Sequence, residues 1–334
     1  MNPAPLRFGP VEVGFPAVQA ALAGYSDWPM RVIASRLGAP FTYSEAMLAR
    51  FVVQVGRGPR ARRLVRPTGE GALCGAQLMG GDDDELADAA RWLARAGFHA
   101  VDVNLACPVK KVLGRHRGGH LMGQPELAVG IVARVRNALP PEVPVTVKMR
   151  RGLDDTAESR DAFFAILDGV LGAGAAAVTV HGRTVRQRYE GRSAWPFLRE
   201  VKRHAPGAVI LGSGDLFTAA DCLAMLRQTG LDGVAVARGA IGNPWIFRQL
   251  LELASGRPVS QPSVEEMREV MLEHYRLAEQ TYGPRRTGPI MRKFGIKYAR
   301  LHPRADEVRD AFIRIRCQDD WHRALACWYG GTVE

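Results

Sequence analysis

The 334-residue chain has no apolar run long enough to read as a transmembrane helix. Its first fifteen residues lack the charged start and apolar core of a secretory signal, so the cytoplasm is the expected compartment. Cysteine is scarce: five, at positions 74, 107, 222, 317 and 327, an odd number without paired metal-ligand spacing. That excludes a disulfide framework and predicts a reduced protein with no metal site. A glycine-rich turn after the first strand is also missing, which argues against a doubly wound dinucleotide fold. No low-complexity tract interrupts the chain, and no repeat is visible beyond a strand–helix alternation.

What the chain has in excess is positive charge, a net +11, placed unevenly. Six arginines and no acids fall between Arg50 and Arg66. Lys110, Lys111, Arg115 and Arg117 follow Cys107 closely, and Arg183, Arg186, Arg188 and Arg192 surround the single acid Glu190. A fourth cluster runs from Arg285 to Arg316. Together these clusters exceed the net charge of the whole chain, so the remainder is acidic. Concentrated charge of this kind favours a polyanionic partner.

Short apolar strands are predicted over 18–23, 41–47, 72–79, 101–107, 145–150, 177–183, 208–214 and 233–239, each followed by a helix. Eight such units predict an α/β fold, a (β/α)8 TIM barrel, spanning residues 1–258. Beyond Gln261-Pro262 only helices are expected, near 264–282, 289–301 and 305–328. A smaller all-helical domain therefore occupies 259–334, with Gly256, Pro258 and Pro262 marking a linker.

A barrel presents its chemistry at the C-terminal ends of its strands. The fourth strand runs into VDVNLACPVKKV, so Cys107 sits at a strand tip with Pro108 stopping the ladder. It is read as a proton donor at the rim, against the plainer reading of a small buried hydrophobe. Gly114, Gly118, Gly119 and Gly123 suggest a mobile lid behind it. Ser213-Gly214-Asp215 and Ala237-Arg238-Gly239, at the seventh and eighth strand ends, suit a phosphate. Gln77, Lys148 and His181 surround one pocket and suit a flavin, although Lys148 equally suits Schiff-base chemistry.

These stretches resemble the tRNA-dihydrouridine synthases from residue 20 to about residue 329. The resemblance rests on AALAGYSDWPMR, GAQLMG, VDVNLACPVKKV, VTVKMRRG, VHGRTVRQRYEGRSAW, GSGD, ARGAIGNPWIF and MRKFGIKYARLHP. It implies an FMN enzyme, reduced by NADPH, that passes hydride to carbon 6 of D-loop uridines in tRNA. Carried over, Cys107 is the acid that protonates carbon 5. Ala21, Leu22 and Ala23 are the backbone cradle for FMN; Gln77, Lys148 and His181 contact its ring. Ser213, Gly214, Asp215, Ala237 and Arg238 hold its phosphate. Asn104 and Arg150 match positions near flavin and substrate, and Lys110, Lys111, Arg183, Arg292 and Lys293 are expected to meet tRNA. Lys110 and Lys111 are expected to point away from the thiol. The basic helical domain grips the tRNA backbone, with no membrane and no obligate protein partner.

Three motifs depart from the family pattern. Ala21 and Leu22 stand where proline and methionine are usual, and Ala106 and Ala237 replace glycines, each adding a methyl beside the cofactor's path. Two rivals share parts of the pattern: a small-molecule FMN barrel reductase of the dihydroorotate type, and a non-catalytic tRNA-binding barrel. The first does not call for a basic helical tail. The second predicts loss of Cys107 or Lys148, and both are present.

Overall fold

Valine-rich strands of three to eight residues, covered on the outside by helices, pair in parallel because both faces are buried. The computed structural model describes residues 4–55, 58, 65–69 and 71–330. A hairpin comes first, β1 (Leu6–Phe8) with β2 (Val11–Gly14). The barrel follows as β3 (Ala17–Gln19), β4 (Phe41–Leu48), β5 (Leu73–Met79), β6 (Ala100–Asn104), β7 (Val145–Arg150), β8 (Ala177–His181), β9 (Ile210–Ser213) and β10 (Gly233–Val236). Sequential neighbours pair throughout, and β10 returns to β3 to close it. The described helices around it are α1 (Trp28–Arg36), α2 (Ala49–Val55), α3 (Asp83–Arg95), α4 (Lys110–Leu113), α5 (Pro125–Asn137), α6 (Ala157–Gly172), α7 (Trp195–His204), α8 (Ala219–Thr229) and α9 (Ile246–Ala254).

The predicted barrel is present, but several strands stop earlier than their apolar sequence suggests. β3 ends at Gln19, β6 at Asn104 and β10 at Val236; the small apolar residues beyond them line the barrel mouth instead. Nothing in the sequence announces the hairpin, because three- and four-residue strands carry too little alternation to read. It plugs the opposite end: Leu6, Phe8 and Val13 pack against Val18, Phe41, Leu211 and Ala235.

After β10 the chain is helical: α10 (Val264–Tyr282), α11 (Pro284–Tyr298), a 3-10 turn at Ala299–Leu301, α12 (Ala305–Ile313) and α13 (Gln318–Tyr329). α11 begins five residues before its predicted start and carries Pro289 inside it. The predicted last helix is two, split at Arg314–Cys317, where Asp320 accepts from the Cys317 N–H. The tail does not hang from a loose linker. Ser260 is bonded to Glu252, and Gln249 donates to the Ser260 carbonyl at 3.0 Å. Met271, Tyr275, Phe294, Tyr298 and Trp321 belong to the same continuous core as the barrel's outer layer. Among the described residues no helix is long and apolar enough to cross a membrane, and no cluster of three metal-ligating side chains occurs.

Candidate active site

Asn104, not Pro108, ends the fourth barrel strand. Its side-chain Oδ1 accepts from the N–H groups of Ala106 (2.9 Å) and Cys107 (3.0 Å), an Asx turn that lifts Cys107 off the ladder into a loop. The middle of the glycine-rich segment behind it is packed, while Gly114 and Gly123 are exposed. Gly118, Gly119, Leu121 and Met122 are buried, and the Gly119 N–H donates to the Cys107 carbonyl at 3.0 Å. A Cβ at Gly119 would lie 2.9 Å from that carbonyl oxygen, so glycine is needed for the close approach. Cys107 itself is half-buried. Burial raises its thiol pKa, while the Val109 N–H and the Arg150 charge pull the other way. Lys110 and Lys111 are exposed on α4.

Above the strand ends lies a cleft of about 590 Å³. Ala21, Leu22, Ala23, Gln77, Asn104, Cys107, Lys148, Arg150, His181, Ser213, Ala237 and Arg238 all reach its wall, so twelve of the predicted positions converge there. Burial pushes the Lys148 ammonium down to about 7, with Arg150 adding to the push and Asp102 opposing it. His181 is held neutral, first by burial and then by Lys148, Arg150, Arg183 and Arg238. Its Nδ1 accepts from the Arg183 N–H at 3.1 Å, which leaves Nε2 to carry the hydrogen as a donor.

At one corner the cleft adjoins a small cavity lined by Ser213, Gly214, Asp215, Ala237 and Arg238. Gly239 allows this corner to form, since a Cβ there would overlap the Leu216 carbonyl oxygen. The Arg238 guanidinium lies 5.1 Å from both the Tyr189 and Phe217 rings and 3.7 Å from Asp215. Asp215 is already engaged: it takes both Arg183 contacts (2.6 and 2.8 Å) and the Ser193 N–H. Burial opposes its charge, but Ser193 and Arg183 hold its carboxyl below the usual range.

Two predicted RNA-facing cations are placed differently. Arg183 is 3 % exposed and braces that corner through Asp215 and the Gly191 carbonyl. Lys293 donates to the Gly24 carbonyl and sits over the Tyr25 and Phe294 rings, so it ties the tail to the first-strand loop. Arg150 is likewise internal, donating to the carbonyls of Ala106, Thr184 and Arg188. Arg292 is exposed on α11. Arg57, Arg60, Arg62 and Arg63 of the basic loop lie outside the described residues. Sequence reading missed Tyr25, Tyr189, Phe217, Lys297 and Arg300 at the mouth; no spacing rule marks them.

The walls fit a flavin. Ala20, Ala21, Ala46, Ala106 and Ile241 give apolar wall, while Lys148, Gln77 and His181 supply an amine, an amide and an N–H donor to the same cleft. Ala106 and Ala237 both line the cleft. Residues 18–326 match the family model described as dihydrouridine synthase. A probable tRNA-dihydrouridine synthase of Rickettsia typhi is 32 % identical, covering 92 % of each chain. The tRNA-dihydrouridine synthase B of Escherichia coli is 30 % identical over 97 % of this chain and 99 % of its own. Among solved structures, histamine dehydrogenase from Rhizobium sp. 4-9 shares the fold at 14 % identity and a TM-score of 0.60, over 82 % of this chain and 50 % of that one. Morphinone reductase does so at 15 % and 0.55, over 80 % and 93 %.

Proposed function

This chain belongs to the dihydrouridine synthase family and is a flavin-dependent enzyme that makes dihydrouridine in tRNA; on that premise we propose FMN as its flavin, NADPH as its reductant, D-loop uridines as its target and Cys107 as its acid. The observation that carries the last assignment is a thiol kept protonated by burial at the rim of a cleft whose floor holds Lys148 and His181. The flavin, when bound, supplies hydride to carbon 6 of the uracil. Cys107 supplies the matching proton to carbon 5, its S–H bond breaking as the C–H bond forms. The thiolate left behind lies near Arg150 and regains its proton from solvent.

The other residues bind and orient. Backbone of Ala21, Leu22 and Ala23 cradles the ring, and Leu22 is fixed by a 2.7 Å bond from its N–H to Ser26 Oγ. Gln77 and the Nε2–H of His181 hold polar edge atoms. Lys148, its ammonium pushed down to about 7 by burial, is about half protonated at neutral pH and would be drawn to full charge beside a ring that gains negative charge. Ser213, Gly214, Asp215, Ala237 and Arg238 receive the phosphate, largely through backbone N–H groups and the one guanidinium. The target base leaves the tRNA fold to stack in the cleft, at a cost of a few kcal/mol, roughly. Exposed Lys110, Lys111 and Arg292, with the 259–334 domain, grip the phosphate backbone. Such a substrate supports a cytoplasmic location for the enzyme.

Nucleotide-resolution mapping of dihydrouridine tests this directly, on tRNA from cells with and without the gene, complemented by wild type or Cys107→Ala. Loss of one or two D-loop dihydrouridines, restored by wild type alone, is expected. Unchanged tRNA in a deletion strain lacking any second such enzyme overturns the assignment.

A further inference from the structure

Beneath the cleft floor a line of buried polar side chains runs across three strands and ends at the Cys107 loop. The barrel register sets it up: Gln77 of β5 pairs with Asp102 of β6, and Asp102 with Thr146 of β7. Asp102 and Asn104, two apart on one strand, point to the same face. Asp102 is 2 % exposed and does not line the cleft. Its Oδ1 accepts from the Thr146 hydroxyl at 2.6 Å, and Thr146 meets the Tyr43 hydroxyl at 3.0 Å. Its Oδ2 accepts from Gln77 Nε2 at 2.7 Å. Gln77 Oε1 then accepts from Asn104 Nδ2 at 2.6 Å, and Asn104 Oδ1 accepts the N–H groups of Ala106 and Cys107.

Each link in this line has a direction. An ionised carboxylate only accepts, so it fixes the Gln77 amide with its NH2 inward and its oxygen toward Asn104. That oxygen in turn fixes Asn104 with its NH2 toward Gln77 and its oxygen toward the loop. Reverse either amide and an NH2 group would face the N–H groups of Ala106 and Cys107, undoing the turn that holds the thiol. Burial raises Asp102 to about 6, with Thr146, Gln77 and Lys148 resisting, so it remains mainly an acceptor at neutral pH.

We infer that Asp102 is a positioning residue for the uridine step, setting through Gln77 and Asn104 the hydrogen-bond polarity that places the Cys107 thiol. The inference rests on Cys107 acting as the acid. It concerns only the half of the reaction in which the thiol takes part; reduction of the flavin by NADPH does not use the loop.

The test uses three holoenzyme variants of conserved side-chain volume. Asp102→Asn keeps one carbonyl acceptor for Gln77. Asn104→Asp keeps the turn but cannot donate to Gln77, leaving two carboxylates competing for one NH2 group. Combined, the two substitutions reverse the whole line. The new amide at position 102 donates to Gln77 Oε1, Gln77 Nε2 donates to the new carboxylate at position 104, and that carboxylate still accepts from the loop. Pre-reduced enzyme is mixed with tRNA lacking dihydrouridine, and product formed in one turnover is timed. Separately, flavin bleaching by NADPH is timed, and flavin content is measured. Coupled neighbours are non-additive, so we expect Asn104→Asp to slow the uridine step about tenfold or more, Asp102→Asn less than about threefold, and the double variant to regain at least about threefold over Asn104→Asp. Gln77 and Asn104 also line the flavin cleft, so the NADPH step is expected to change as well, but in each variant by a smaller factor than the uridine step. A double variant no faster than Asn104→Asp overturns the relay, as does a parallel fall in both steps. Cys107→Ala is run beside them: a wild-type uridine rate in that variant instead removes the acid assignment itself.

Discussion

Cys107 is raised by burial, and that direction has a kinetic consequence. A general acid works in its protonated form, which is populated below its pKa; raising the pKa extends the working range upward. The uridine step should therefore hold its rate through mildly alkaline pH and fall only above the ordinary thiol range, measured by single-turnover product formation. Cys107→Ala should retain its flavin and its NADPH step while losing about 10²–10⁴-fold in the uridine step. Lys148 gives a prediction about stability. Its pKa falls from 10.5 to about 7, so the unfolded chain binds the extra proton between those values. Stability of the flavin-free protein then rises with pH across that window, and lowering the pH toward about 7 removes that gain. Urea midpoints should show this slope in wild type and lose it in Lys148→Met. Cys107, Lys148 and His181 are readable in the sequence because polar types at strand ends are few. Asp102 is not, because nothing in one sequence says which alternate residue of a buried strand meets a partner.

The elements are legible wherever periodicity is long. All eight strand–helix units stand in the predicted order, and α10 matches its predicted span of 264–282. Ends are misread where a side chain, not composition, stops the ladder. Apolar Leu105 and Ala106 continue the look of a strand, but after the Leu105 N–H donates to Lys148, Asn104 captures the N–H groups of Ala106 and Cys107 and turns the chain. Glycines between 114 and 123 suggest looseness, whereas at 118 and 119 they permit contact with Cys107: a Cβ on Gly118 would lie 2.9 Å from the Cys107 Cβ. Gly119→Ala should therefore move the loop. Overpacking of this kind costs about 1–3 kcal/mol, read as a lower urea midpoint. The uridine step should fall by more than the NADPH step, since the displaced atoms belong to the thiol's own loop. Equal losses in both steps would argue that the segment supports only the fold.

Barrel and tail are joined by more than proximity, and this is the scale at which the sequence is least informative. The break marked by Gly256, Pro258 and Pro262 reads as a linker, yet the surfaces on either side of it are one core. Leu277 of α10 packs on Val32 and Ile33 of α1. Glu266 takes both Trp245 Nε1 and the Arg248 guanidinium at 2.7 Å. Tyr282 donates to Asp27, the residue that caps α1, at 2.7 Å. Lys293 reaches the Gly24 carbonyl while Glu45 of β4 takes the Gly24 N–H, so the loop after β3 is pinned from both bodies. A fragment ending at residue 258 would expose the apolar side of α1 and buried Trp245 to water. It should fail to give a cooperative unfolding transition by circular dichroism or to bind FMN. The same geometry separates two neighbouring cations. Arg292 is exposed and free to neutralise a phosphate, so Arg292→Ala should lower the slope of log affinity for tRNA against log salt by about 1. Lys293→Ala should leave that slope nearly unchanged and instead weaken FMN retention, because the ammonium already holds the cradle loop. If instead Lys293→Ala lowers the salt slope and keeps its flavin, Lys293 releases Gly24 for the RNA, and the tail's hold on the cradle is not what fixes the cofactor.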